Sequence, residues 1–185
     1  MGTAIPTTTD RYREPPEATP MLLPHARTPF ERKVATFASA VAQNLPTNCD
    51  ILLDALGASG IAMVVVRFDG KDGHGQVEGV AAYAPDGDTL DIPVVDVTVR
   101  EVVFDNARTV PERRSLRGAI EIMAYTLLEH SHGEWSDGAG GSGELVFSAA
   151  SRSVTLEYNQ RVMTVRQHWQ RFGDRLFPQN LESER

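Results

Sequence analysis

Residues 61–83 read I-A-M-V-V-V-R-F-D-G-K-D-G-H-G-Q-V-E-G-V-A-A-Y. An apolar run comes first, then a glycine-rich loop, then a second apolar run. The β-branched triplet Val64-Val65-Val66 predicts a buried strand over 61–68, and the return run predicts another near 76–83. The element after the glycines decides the fold. Phosphate-binding loops of the Rossmann and P-loop kinds place a helix there, and here the chain continues as a strand. Downstream, Pro85-Asp86-Gly87-Asp88 reads as a turn. Residues 90–104 read as extended, with Pro93 marking a break or an edge position.

Helical periodicity flanks these strands. Thr28-Pro29-Phe30-Glu31 has the form of a capping box with proline at the first helical position. It predicts a helix to about residue 45 that buries Phe30, Val34, Phe37, Val41 and Leu45. Pro46 is expected to stop it, and a second helix is expected over 49–56, ended by Gly57. From Pro111 the period becomes helical again. Leu116, Ile120, Met123 and Leu127, with Ala119, Ala124 and Leu128, form a broad apolar face that ends near His130. Residues 143–149 and 153–158 read as a hairpin. Val162, Val165, Trp169, Phe172 and Leu176 recur at helical spacing, predicting a C-terminal helix whose stripe packs on the sheet or on a partner. The order is α-α-β-β-β-α-β-β-α. With no regular βαβ alternation, it predicts an α+β fold: a mostly antiparallel sheet of four to five strands with helices packed on one face.

The chain of 185 residues suits one domain with a real core, and its 41% hydrophobic and 23% charged content are ordinary globular values. Residues 1–27, rich in proline and threonine, are expected to be a disordered tail. The domain is expected over 28–177, with a flexible end at 178–185. The net charge of −7 disfavours non-specific nucleic-acid binding, since counterion release needs a basic face. Arg108, Arg113, Arg114 and Arg117 form the one local exception, read as a solvated helix start. The single cysteine, Cys49, excludes an intramolecular disulfide and implies a reducing compartment. Its neighbours Asp50 and Asp54 oppose any lowering of its pKa, so it reads as structural. No run of about 18 or more apolar residues is present, and the N-terminus lacks a signal-peptide pattern, so a cytoplasmic location is expected.

The glycine-rich loop has a counterpart. Residues 69–76 and 137–144 both read D-G-x-x-G-x-G-[QE]. Phe68 precedes the first directly, Trp135 lies two positions before the second, and an apolar strand comes after each. Such glycines serve tight turns, or the close approach of a backbone or ligand. Two structural loops, or one paired site, are the alternatives. The candidate ligand- or partner-binding set is Asp69, Gly70, Asp72, His74, Gln76, Glu78, Trp135, Asp137, Gly138 and Glu144.

Three ligand classes bear on that set. Calcium takes six to eight oxygens, and the carboxylates of Asp69, Asp72, Asp137 and Glu144 are the metal candidates. However, the strict D-x-[DN]-x-[DN]-G loop is absent. Zinc needs His or Cys, and Glu129, His130, His132 and Glu134, with His74 from the other loop, are a weak signal. An anion on loop N–H groups is the third class. Trp135 is either a recognition aromatic or a core anchor. G-x-S-x-G and H-E-x-x-H motifs are both missing, and the sequence requires no cofactor.

At these residues the chain resembles an uncharacterised bacterial domain family, a domain of unknown function associated with plasmids and integrative elements of α-proteobacteria. In that family a strand ends in an F-D-G-x-G-D-S-G-Q-I-E type loop. Later a helix ends in an H-G-G-W-E-N-N-D-G-A-x-G-E type loop, followed by an apolar hairpin and an N-x-R ending. Residues 68–78 carry the first loop, with the order of Asp and Gly altered and His74 in place of Ser. Residues 132–144 carry the second through Trp135, Asp137-Gly138-Ala139 and Gly143-Glu144, without the N-N pair and with a longer spacing before Gly143. Asn159-Gln160-Arg161 matches the ending. The similarity covers about residues 37–161. It implies that both loops are the working end of an accessory protein of mobile elements.

The expectation is therefore a non-enzymatic accessory or protein-interaction module acting through the paired loops, with a protein partner. The alternative is a metal-binding regulator or metal-dependent hydrolase using the same carboxylates. A third reading, DNA association within a mobile element, rests on the arginine cluster.

Overall fold

The computed structural model describes residues 28–169. The expected tail at 1–27 and the expected flexible end at 178–185 lie outside the described residues. Helix α1 is Pro29–Ala58. Strands β1 (Met63–Lys71) and β2 (His74–Tyr83) form a hairpin, and the short β3 (Thr89–Leu90) comes next. Strands β4 (Asp96–Val103) and β5 (Arg108–Ser115) form a second hairpin. Helix α2 is Leu116–Ser131, and β6 (Gly141–Ser148) with β7 (Ser153–Gln160) closes the order. The main sheet runs β3-β2-β1-β6-β7, with every pairing antiparallel, and β4-β5 stands apart as a two-stranded ribbon. The class is α+β, as the pattern of runs implied.

The capping box forms as read. The Glu31 N–H donates to Thr28 Oγ1 at 3.2 Å, and the Thr28 N–H donates to Glu31 Oε2 at 2.5 Å. The two helical stretches expected on either side of Pro46 are one continuous helix of 30 residues. Proline removes one backbone bond and normally kinks or ends a helix. Here tertiary contacts on both sides of Pro46 outweigh that cost. Leu45, Leu52, Leu53 and Leu56 are all buried in the core. Asn48 exchanges two hydrogen bonds with the Arg100 backbone in β4, at 2.8 and 2.9 Å. Buried Asn44 donates to Thr109 Oγ1 at 2.9 Å. Cys49 thus sits within the helix, away from any helix start, and burial followed by the Asp50 charge pushes its thiol pKa up.

A second difference concerns residues 108–115. The arginine-rich stretch expected to begin a helix is β5, and the helix starts only at Leu116, where Ser115 Oγ accepts from the Gly118 N–H at 3.2 Å. Pro111 is tolerated because a two-stranded ribbon consists only of edges. The arginines are largely matched by neighbouring acids: Arg113 with Asp96, Arg114 with Glu101 and Arg117 with Glu121.

The core lies between the helices and one face of the main sheet. Val64, Val66 and Phe68 of β1 alternate inward and meet Leu145 and Phe147 of β6 and Ile120, Met123 and Leu128 of α2. The intervening β1 residues, among them Arg67 and Asp69, belong to the opposite, open face by strand alternation. Of the expected C-terminal helix, residues 162–169 carry no helix, and Phe172 and Leu176 lie outside the described residues. Among the described residues, no helix is long and apolar enough to cross a membrane.

Candidate functional site

The two matching segments fold differently. In the first, Asp69 and Gly70 are still within β1, and the connection is the two-residue turn Asp72-Gly73. Both turn residues have positive φ, 54° and 79°, the geometry that suits the right-handed twist of a tight hairpin. The second segment joins α2 to β6 through successive tight turns. In these the Trp135 N–H donates to the His132 carbonyl (2.8 Å), the Asp137 N–H to Glu134 (3.0 Å) and the Gly140 N–H to Asp137 (2.8 Å).

The two loops nevertheless meet. The hairpin turn donates both of its N–H groups to the second loop, Asp72 to the Gly138 carbonyl at 3.0 Å and Gly73 to the Ser136 carbonyl at 2.8 Å. Gly70 pairs with Gly141, and Gly75 with Gly70, at the end of the sheet. Trp135 lies across this glycine floor. A Cβ on Gly70 would come within 2.7 Å of the indole, and one on Gly75 would strike the same ring. Gly140, with φ of 69°, sits directly against the Gly70 carbonyl, where a Cβ would overlap the oxygen. Gly70, Gly75 and Gly140 are therefore consumed by packing between the loops.

Trp135 is 6% exposed, which identifies it as a core anchor. Its ring meets Phe68 edge-on at 5.7 Å and Tyr125 at 6.3 Å. The Tyr125 hydroxyl accepts the Val77 N–H at 2.9 Å. Phe68 stacks on Tyr158, and Tyr158 stacks on His132 at 3.9 Å between centroids. Sequence reasoning missed Tyr125, Tyr158 and the stacked role of His132, because no local spacing connects a helix face with the last strand.

The candidate residues divide into three places. Trp135 and Gly70 are buried under the site. Asp72, His74, Asp137 and Gly138 are exposed at the tip, together with Glu134. Asp69, Gln76 and Glu144 belong to the open sheet face, where Asp69 pairs in register with Gln76 and Glu144 with Arg67, while Glu78 is exposed beside the bulge in β2. Asp69 is engaged by Arg161, whose guanidinium also donates to the Gly70 carbonyl at 3.0 Å. The Arg161 N–H holds the Gly140 carbonyl at 2.9 Å. The hydrogen bond it donates to Asp69 holds the Arg161 pKa above the usual guanidinium value, with the charges of Asp69 and Glu78 adding to it. The N-x-R ending is thus a clasp that ties β7 to both loops.

The four metal candidates do not converge. Asp72 and Asp137 stand at the tip, and Asp69 and Glu144 on the open face. No group of three or more His, Cys, Asp or Glu placed to hold a metal ion occurs among the described residues. His132, one of the weak zinc candidates, is taken up by its stack on Tyr158. The arrangement presents a polar surface, with His132 and Glu134 bordering a shallow hollow beside Trp135 and Tyr158.

Comparison with known proteins gives one assignment. Residues 44–172 match a family of unknown function, DUF6878, and the protein belongs to that family. The match runs past the expected limit near residue 161. No curated protein and no solved structure matches the chain.

Proposed function

We propose that this family member is a non-enzymatic protein-interaction module, acting in the cytoplasm, that recognises a partner protein with the tip formed by its two glycine-rich loops. One observation carries the reading. The backbone of the tip is cross-bonded between the loops and seated on buried Trp135, while Asp72, His74, Glu134 and Asp137 remain exposed. A surface already ordered before binding avoids the entropy cost of fixing mobile loops on association. Acidic groups at its centre favour a partner patch rich in Lys or Arg, by charge complementarity. Included in the proposal is a role as an accessory factor of plasmids and integrative elements of α-proteobacteria, supported by the likeness of the loop segments alone.

The test is charge reversal at the tip. Asp72→Lys combined with Asp137→Lys is expected to abolish capture of a defined partner from an extract of the source organism and to leave the melting temperature unchanged. Capture of the same partner by the double variant sinks the proposal. So does any turnover that disappears in Asp69→Ala or Asp137→Ala. The metal reading has its own check, a melt in chelator followed by added calcium, magnesium or zinc. Saturating ion at about 100-fold its Kd adds roughly 2.7 kcal/mol to a chain that binds it, and the interaction reading expects no shift.

A further inference from the structure

Beyond the loops, the stretch after β7 leaves apolar side chains uncovered. After the Arg161 clasp, Val162, Met163, Val165 and Trp169 are 79%, 82%, 94% and 88% exposed, so the body of their own chain does not cover them. The family match nevertheless continues to residue 172, twelve residues past the end of β7. In sequence the stripe continues with Phe172 and Leu176.

A receiving surface exists in the same chain. Between α1, β4 and α2 lies an open groove lined by Phe37, Val41, Val99, Val102, Ile122 and Met123, with a cavity of about 180 Å³. That is smaller than the ~300–1,000 Å³ of small-molecule pockets and suits a single large side chain. Val34 of α1, Val103 of β4 and Phe104 in the turn after it are exposed apolar residues near its border.

We propose that residues 162–176 of one chain dock in the α1–α2 groove of a second copy, reciprocally, with Trp169 as the anchor. Charge supports the pairing. Residues 162–176 carry Arg166, Arg171 and Arg175 against Asp174 alone, whereas residues 28–160 carry ten Lys and Arg against nineteen Asp and Glu. Area supports it too. Trp and Phe bury about 150–250 Å² each, so Trp169 and Phe172 from both copies remove roughly 600–1,000 Å² of surface. The aliphatic positions and the groove walls bring the total into the ~1,200–2,000 Å² range of stable interfaces. Because each chain holds both halves, the contact closes as a two-fold dimer.

Sedimentation equilibrium of the full chain tests this. The wild type is expected to be a dimer. Ile122→Glu damages the groove and Trp169→Ala the segment. Each side chain is exposed, so both variants are expected to keep the wild-type circular dichroism spectrum and to raise the dimer Kd about tenfold or more, as loss of an interface anchor does. An equimolar mixture of the two variants retains one intact contact and is expected to associate more tightly than either variant alone. A monomeric wild type, a dimer indifferent to both substitutions, or a mixture no tighter than its components each overturns the proposal.

Discussion

The segments at residues 69–76 and 137–144 share a pattern of eight letters and have different structures. The first is the end of β1, a two-residue hairpin turn and the start of β2, and the second is a chain of turns that runs into the start of β6. At the fourth position of the pattern, Asp72 and Gly140 both take positive φ, 54° and 69°, but for different reasons. Asp72 turns the hairpin with its side chain exposed, and Gly140 must come against the Gly70 carbonyl. A glycine pattern thus reports local geometry without reporting purpose. Each loop has a glycine that serves a turn, Gly73 and Gly138, and glycines that allow close approach, Gly70 and Gly75 in one and Gly140 in the other, and together they form one platform.

The largest expected effect comes from removing what both loops rest on. Trp135→Ala should cost about 3–5 kcal/mol, the range for truncating a large buried aromatic, read from urea denaturation midpoints. A cost below about 1 kcal/mol would separate the loops into independent turns. Next come two glycines with different surroundings. Gly140→Ala forces both a backbone overlap and an unfavourable φ, so a loss of about 3 kcal/mol is expected, at the upper end of overpacking costs. Gly73→Ala meets nothing within 4 Å, and should lose only about 1–2 kcal/mol for its positive φ. Equal losses would remove the distinction between the loops. Arg161→Gln should destabilise less than Gly140→Ala and lose its effect as salt is raised, because the Asp69 pair is half-exposed and therefore screened. Smallest of all, Asp72→Lys with Asp137→Lys should change stability by no more than about 0.5 kcal/mol, as exposed substitutions usually do, while binding is lost.

Much of this architecture was legible in the chain, because periodicity and turn chemistry are local signals. The Thr28 capping box, the Val64 to Val66 strand, the Leu116 to Leu128 face and the final hairpin all declare themselves within a few residues. Pro46 and Pro111 misled for different reasons: the contacts that carry α1 through Pro46 come from residues 50 or more positions away, Arg100 against Asn48 and Thr109 against Asn44, whereas Pro111 sits opposite Arg100 in a hairpin whose strands are both edges. At the site, sequence pointed to the right segments but left open what their glycines were for. Trp135 over Gly70 and Gly75, and Arg161 on Asp69, are long-range pairings that no spacing rule announces. They converted expected ligand groups into framework and left Asp72, His74 and Asp137 as the outward chemistry.

Native-state hydrogen exchange at Asp72 and Gly73 tests the central claim most directly, because their N–H groups are the bonds that join the two loops. If the loops are one rigid platform, both amides exchange only through global unfolding, with the same opening free energy as amides in the middle of β1. Exchange at the rate of an independent surface turn, such as that at residues 84–88, would show the loops opening separately and would contradict the account.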